Sequence, residues 1–461
     1  MTKQTSIQKS SIVERLIAKS TLEHITSNGT IAAGVMVCSA LLALIVANSA
    51  LFEPVHKVFA MHIGISFGTI GLFMPLETFI NDFLMSIFFL LVGIELKYEM
   101  VVGELRRPRQ AMLPMLAAVG GVCAPALIYT LLNPAPTAHG WAIPIATDIA
   151  FALGIMSLLG KRIAAETKVF FSTLAIADDL LAIVVLALFY GQSLNISWCA
   201  ATLIVIVLLA ACARGRIYSS KPYLILGVAL WFCMFNSGIH PTLSGVILAF
   251  FLPAKSDIHF SHLHMWLSGQ VDKLEGTLVS DEHILGQHEA TATAKRIEHV
   301  VHRITPPLQR MEHYISVAVN FVILPLFAFS NAQLRLVDVN VLEFACDSVS
   351  QGVFLGAVIG KPLGIILVTF ILVKIGFAKL PNHVDWVQII GVGIMGALGF
   401  TMSILISGLA FSSEKEILAA KFAVLVGSFT ASILGILFIR IAQSTRAKAY
   451  RKRVAQKLST N

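Results

Sequence analysis

The chain has 461 residues, 56% hydrophobic and only 13% charged, with a mean hydropathy of +0.81; soluble domains carry roughly 25% charged residues, so a soluble globular protein is excluded. The net charge is +8 and the isoelectric point about 9.2, yet the basic residues lie in alternate loops, which excludes a polyphosphate-binding face and a nucleic-acid partner. Six scattered cysteines (Cys38, Cys123, Cys199, Cys212, Cys233, Cys346) have no CxxC spacing; they read as packing residues, not as a disulfide framework or metal site.

Residues 1–28 are polar and mixed in charge, without the apolar run of a cleavable signal peptide. They read as a cytoplasmic tail, or as a helix on the membrane surface through Ile12, Val13, Leu16 and Ile17. Twelve apolar runs follow, at about 29–50, 76–98, 110–132, 141–160, 169–190, 198–213, 222–237, 241–253, 314–333, 350–375, 386–411 and 417–440. The expected fold is therefore an all-α membrane protein of about twelve transmembrane helices. Spans one to eight occupy 29–253 and spans nine to twelve 314–440; a long polar loop at 254–312 separates them, and a basic tail fills 441–461.

Of the 34 Lys and Arg, 29 fall in the N-terminal tail, the even-numbered loops and the C-terminus. Lys57, Arg335, Lys415 and Lys421 lie on the opposite side, and Lys361 lies inside a span. The positive-inside rule then places both termini in the cytoplasm. The 254–312 loop and its edge hold His259, His262, His264, His283, His288, His299, His302 and His313. H-F-S-H-L-H lacks the i, i+4 pair with an acidic partner of a zinc helix, so a solvated, partly helical segment is expected. A pH-responsive role is the functional alternative.

A charged side chain at the bilayer centre costs roughly 2.5–3.5 kcal/mol on insertion scales, so each needs a role. Five lie near span middles: Asp82, Asp148, Asp178, Asp179 and Lys361. Glu95 and Glu99 are nearer a cytoplasmic end, within reach of water. Asp178 and Asp179, in L-A-I-A-D-D-L-L-A-I, are helical neighbours about 100° apart, so both cannot point into one small site. The economical arrangement sends one to a water-filled cavity as cation ligand and the other to the intramembrane Lys361. A packing role alone would leave unneutralised buried charge.

Asp148 lies in W-A-I-P-I-A-T-D-I-A, where Pro144 removes a backbone donor and Thr147 adds a hydroxyl. The eleventh span carries Gly391, Gly393, Gly396, Gly399 and Gly408 and is a second candidate for a broken helix, with a glycine packing face as the alternative. These are the middle members of two three-span groups that start on opposite sides of the membrane. That is the pattern of inverted repeats whose interrupted helices cross near the midplane. Asp148 and Lys361 are placed to neutralise the half-helix ends.

W-A-I-P-I-A-T-D-I-A-F-A-L-G, L-A-I-A-D-D-L, G-K-P-L-G, L-P-L-F-A-F-S-N-A and G-F-T-M-S-I together resemble the NhaA family of bacterial sodium/proton antiporters over about residues 29–440; this family is itself an example of that inverted-repeat pattern. The resemblance implies an electrogenic exchanger of sodium or lithium for protons, in the inner membrane as a homodimer, with no cofactor beyond the transported ion. It implies Asp179 as main ion ligand and Asp178 as its proton-coupled neighbour paired with Lys361. Thr147 and Asp148 belong to the crossing, and Asp82 is supporting. Glu95, Glu99, Glu312, His313 and His240 match positions linked to pH response, although Glu298 and His299 compete for the Glu-His pair. Tyr98 stands where the family usually has arginine, and F-A-M-H-I-G-I-S-F-G-T-I-G is similar in place to its dimer hairpin. A solute symporter would need a larger polar cavity, an intramembrane protease a G-x-G-D site, a prenyltransferase spaced acidic clusters; A-D-D-L-L-A supplies neither acidic pattern. Saturable counterflow would separate an exchanger from a channel.

Overall fold

The computed structural model describes residues 29–67, 70–106, 108–191, 194–255, 260–277, 287–335, 341–381 and 384–459. The 1–28 tail, and His259 and His283 of the long loop, lie outside the described residues. Helix α1 (Gly29–Ala47) is followed by α2 (Phe52–Ala60) and an antiparallel hairpin of β1 (His62–Phe67) and β2 (Ile70–Pro75). His62 pairs with Pro75 and Phe67 with Ile70. Helices α3 (Leu76–Val101) and α4 (Pro108–Leu132) come next, then a 3-10 helix over Thr137–Ile145 and α5 (Ile149–Leu158). After them run α6 (Ala165–Phe189), α7 (Ile196–Arg214), α8 (Ser220–Ser237) and α9 (Leu243–Phe251). Helices α10 (Phe260–Thr277) and α11 (His288–Ile304) pack on each other within the polar insertion. The chain ends with α12 (Pro307–Asn331), α13 (Val341–Cys346), α14 (Ser348–Lys374), α15 (Trp386–Gly396), α16 (Phe400–Ala410) and α17 (Glu414–Ser459).

Backbone groups in lipid find no water, so apolar runs of this length satisfy them internally as helices. Eight described helices are long and apolar enough to cross a membrane, ten if each of two bent pairs counts as one span. The other two expected spans form α8, 18 residues long, and α9, nine residues long. A nine-residue helix is only about 13 Å long against a hydrocarbon core of about 30 Å. Lipid-facing side chains stay apolar where they are most open, as at Leu131 and Leu188, which are 74% and 73% exposed.

Several boundaries differ from the sequence reading. Helix α12 begins at Pro307, so Glu312 and His313 lie inside it and not at a loop edge. Pro is well suited to a first helical turn, where its missing N–H leaves no gap. The basic tail is no separate segment: α17 runs for 46 residues, about 69 Å, through Ser459. All six cysteines are free.

Close helix contacts are made at glycines. A Cβ on Gly364 of α14 would stand 2.0 Å from the Gly120 carbonyl of α4, and one on Gly245 of α9 would stand 2.0 Å from the Ser86 carbonyl of α3. Small residues are what allow backbones this near each other. Three π turns widen the long helices: Ile80–Leu84 in α3, Val319–Ile323 in α12 and Gly356–Gly360 in α14. The last two stand just before Pro325 and Pro362. A proline ring collides with the carbonyl four residues back, and a widened turn accommodates it.

Candidate functional site

The two bent pairs build the site. The 3-10 helix and α5 meet at 42° across residues 146–148, and α15 and α16 meet at 42° across 397–399. The breaks touch: the Asp148 amide donates to the Leu398 carbonyl at 2.5 Å. A Cβ on Gly399 would lie 2.7 Å from the Ala146 carbonyl, so this approach needs glycine.

Each interrupted helix leaves amides unpaired at one cut end and carbonyls at the other. One carboxylate serves both amide ends. Asp148 Oδ1 accepts from the Phe151 amide at 3.0 Å, capping α5, while its Oδ2 accepts from the Thr401 amide at 3.2 Å and the Thr401 hydroxyl at 2.5 Å, capping α16. Negative charge at helix N-termini is stabilising. The carbonyl ends receive donors. Lys361 Nζ donates to the Ile145 carbonyl, the last of the 3-10 helix. The Thr147 hydroxyl lies 3.1 Å from the Gly396 carbonyl at the end of α15, and Ser403 Oγ donates to the Ile143 carbonyl at 2.7 Å.

Asp178 and Asp179 are the fourteenth and fifteenth of the 25 residues of α6. Both are 1% exposed, Asp148 is 3% exposed and Lys361 is fully buried. Lys361 Nζ lies 2.6 Å from Asp178 Oδ2, which the Thr147 hydroxyl also reaches at 2.6 Å. A hydroxyl has one proton, so Thr147 donates to Asp178 or to Gly396 at any moment. Asp178 Oδ1 and Asp179 Oδ1 are buried with no hydrogen-bond partner among the described residues. Three buried acids thus face one buried ammonium, and two negative charges are uncompensated when all are ionised. Such a cluster is costly unless it takes up protons or cations.

The other expected residues fall elsewhere. Asp82, in the α3 π turn, is half-buried, and its neighbour Asn81 accepts from Asn331 at 2.7 Å. Glu95 has Glu312 and Glu99 as charged neighbours, whereas Glu298 and His299 are exposed on α11. His313 is exposed beside Tyr314. His240 is not with them: it stands in the turn before α9, where its Nε2 donates to the Tyr190 carbonyl. Burial pushes its ring below the ordinary histidine value, with the Tyr190 carbonyl opposing. Thr401 and Ser403 were not singled out in sequence. They lie in the G-F-T-M-S-I motif, one and three residues into the second half of a glycine-broken span, with no charge to mark a role.

The family model described as Na+/H+ antiporter 1 matches residues 23–439. A Na(+)/H(+) antiporter NhaA of Helicobacter pylori (strain ATCC 700392 / 26695) is 43% identical over 408 residues, 87% of this chain and 91% of that protein. The Na(+)/H(+) antiporter NhaA of Wolinella succinogenes is 39% identical over 411 residues, 87% of this chain and 89% of that protein. That of Syntrophobacter fumaroxidans is 38% identical over 431 residues, covering 93% and 90%.

Proposed function

The chain belongs to the Na+/H+ antiporter 1 family and is a multi-pass sodium/proton antiporter; from that premise we propose that exchange runs through Asp179 and Asp178, held by Lys361, Thr147 and Asp148. The carrying observation is three buried acids around one buried lysine, with one unpartnered oxygen on each of the adjacent acids. Asp178 is committed through Oδ2 to Lys361 and Thr147. Asp179 Oδ1 has no hydrogen-bond partner among the described residues, and Asp179 is the main ligand for the desolvated cation. A proton on the same carboxylate blocks that ligand, so sodium and protons compete, and release of one accompanies capture of the other. Burial raises the proton affinity of a carboxylate and a cationic neighbour lowers it, which sets the working range.

Asp148 and Thr401 keep the two half-helices meeting at the site through a swing between inward-open and outward-open states. Exchange is electrogenic, with more protons than sodium ions per cycle, accepts lithium, and serves pH homeostasis and salt tolerance. The protein works in the bacterial inner membrane as a homodimer with both termini cytoplasmic, and Glu95, Glu99, Glu312, His313 and His240 adjust activity to pH. Asp82 supports the cation path, and no cofactor beyond the transported ion takes part.

Asp179→Asn is expected to abolish sodium-dependent dye dequenching in everted vesicles while leaving the protein folded. Near-normal exchange by this variant would overturn the assignment. A scan of sodium, lithium and potassium in the same assay, with an imposed membrane potential, tests ion choice and electrogenicity.

A further inference from the structure

We propose that Lys97 is a positioning residue whose ammonium, seated on the last carbonyls of α9, sets the spacing between Glu95 on α3 and Glu312 on α12 and thereby the pH at which exchange turns on. The inference rests on reading Glu95, Glu99 and Glu312 as the pH-responsive group.

Lys97 is the one Lys or Arg of α3, since Tyr98 stands beside it where the resemblance leads one to expect arginine. It has no carboxylate partner among the described residues. Its Nζ donates instead to the carbonyls of Phe250 at 2.7 Å and Leu252 at 2.5 Å, with that of Ala249 at 3.5 Å. The Phe250 and Leu252 carbonyls have no following helical turn to supply amides because α9 stops at Phe251, where Leu252 is extended and Pro253 follows, whereas the Ala249 carbonyl already accepts from the Leu252 amide at 3.2 Å. A cation at a helix C-terminus is favourable, more so where water is scarce.

The contact closes a ring. Beyond Leu252, the Pro253 carbonyl accepts from the Leu308 amide at 3.3 Å, tying the end of α9 to the start of α12. Glu312 lies about one helical turn further on. Glu95 and Lys97 are two residues apart, so they point about 200° apart around α3, one toward α12 and the other onto α9. Lys97 therefore fixes the α9 end that locates the α12 terminus carrying Glu312.

The charged groups around Glu95 are few. Glu312 and Glu99 are its charged neighbours, and Glu95 itself acts at longer range on Asp179 of α6. Helix α9 carries no titratable side chain. On α12, Arg310 donates to the Tyr218 carbonyl at 2.6 Å, and His313 is exposed.

The test is the pH profile of exchange in everted vesicles at saturating sodium for Lys97→Met, Lys97→Gln and Lys97→Arg, beside Glu95→Gln and Glu312→Gln. The Met and Gln variants are expected to keep plateau exchange but displace half-activation by about one pH unit, the scale on which a relocated charge acts. The Arg variant, with charge and donors retained, is expected to follow wild type. Thermal midpoints in detergent identify any variant that has lost its fold, and Lys97→Gln, which keeps a donor, covers that case for Met. Profiles of the Met and Gln variants superimposed on wild type while either Glu variant is displaced would overturn the role of Lys97 alone. An Arg variant displaced as far as Met would do the same. If neither Glu variant moves the profile, the acidic reading falls and this inference with it.

Discussion

Lys361 carries two duties with one ammonium, a salt bridge to Asp178 and a bond to the cut end of the 3-10 helix. Removing one member of a buried ion pair typically costs about 3–5 kcal/mol, because the other charge is stranded. Lys361→Met should therefore lower the thermal midpoint in detergent and abolish exchange at neutral pH. Adding Asp178→Asn should recover much of the midpoint without restoring exchange; a double variant as unstable as the single one would show that Asp178 is not the stranded group. The acids and this lysine are legible in sequence because a charge inside an apolar run is costly unless it has a partner or a role. Thr401 and Ser403 are not, since a hydroxyl is tolerated almost anywhere on a membrane helix. Only their meeting with Asp148 and the Ile143 carbonyl distinguishes them.

At the scale of elements, the depth of Lys361 is set by how tightly α14 lies on α4. Both Gly120 and Gly364 face the opposite backbone, and Lys361 is one turn from Gly364, its Cε 3.9 Å from where a Cβ on Gly121 would stand. Gly364→Ala is expected to push the helices apart, cost about 1–3 kcal/mol as overpacked sites do, and slow exchange; the readouts are thermal midpoint and exchange rate, and an unchanged pair of values would refute the tight contact. The interruptions near Asp148 and in the glycine-rich eleventh span are readable from Pro144 and the glycines. The π turns are not, because the same Gly and Pro residues also suit an ordinary kink. The shortness of α9 is likewise visible only as a weak apolar run, and its Lys97 cap is invisible: carbonyl acceptors leave no mark in sequence.

Across the whole molecule, the four basic residues that the charge pattern puts outside are mostly held by acids. Arg335 lies 3.9 Å from Glu53 and Lys415 3.0 Å from Glu343, while Lys421 faces Glu77. The two exposed pairs, Arg335–Glu53 and Lys415–Glu343, are screened by solvent and contribute little, so they are a consequence of topology and not its cause. The orientation has a native reporter: Cys346, exposed on α13 between α12 and α14. With the other five cysteines replaced, a membrane-impermeant maleimide should label Cys346 in right-side-out spheroplasts; labelling confined to everted vesicles would invert the topology.

Sequence by itself determined the membrane class, the approximate spans, the sidedness expected from Lys and Arg, and the charged residues that require a function. These follow from transfer free energy, which depends on residue type and on position along the chain. Tertiary structure decided which groups satisfy one another: Asp148 bridging two helix N-termini, Lys361 divided between Asp178 and Ile145, Lys97 on the end of α9. Hydrogen bonds and ion pairs depend on distances between segments far apart in sequence, and no local pattern of residues encodes them.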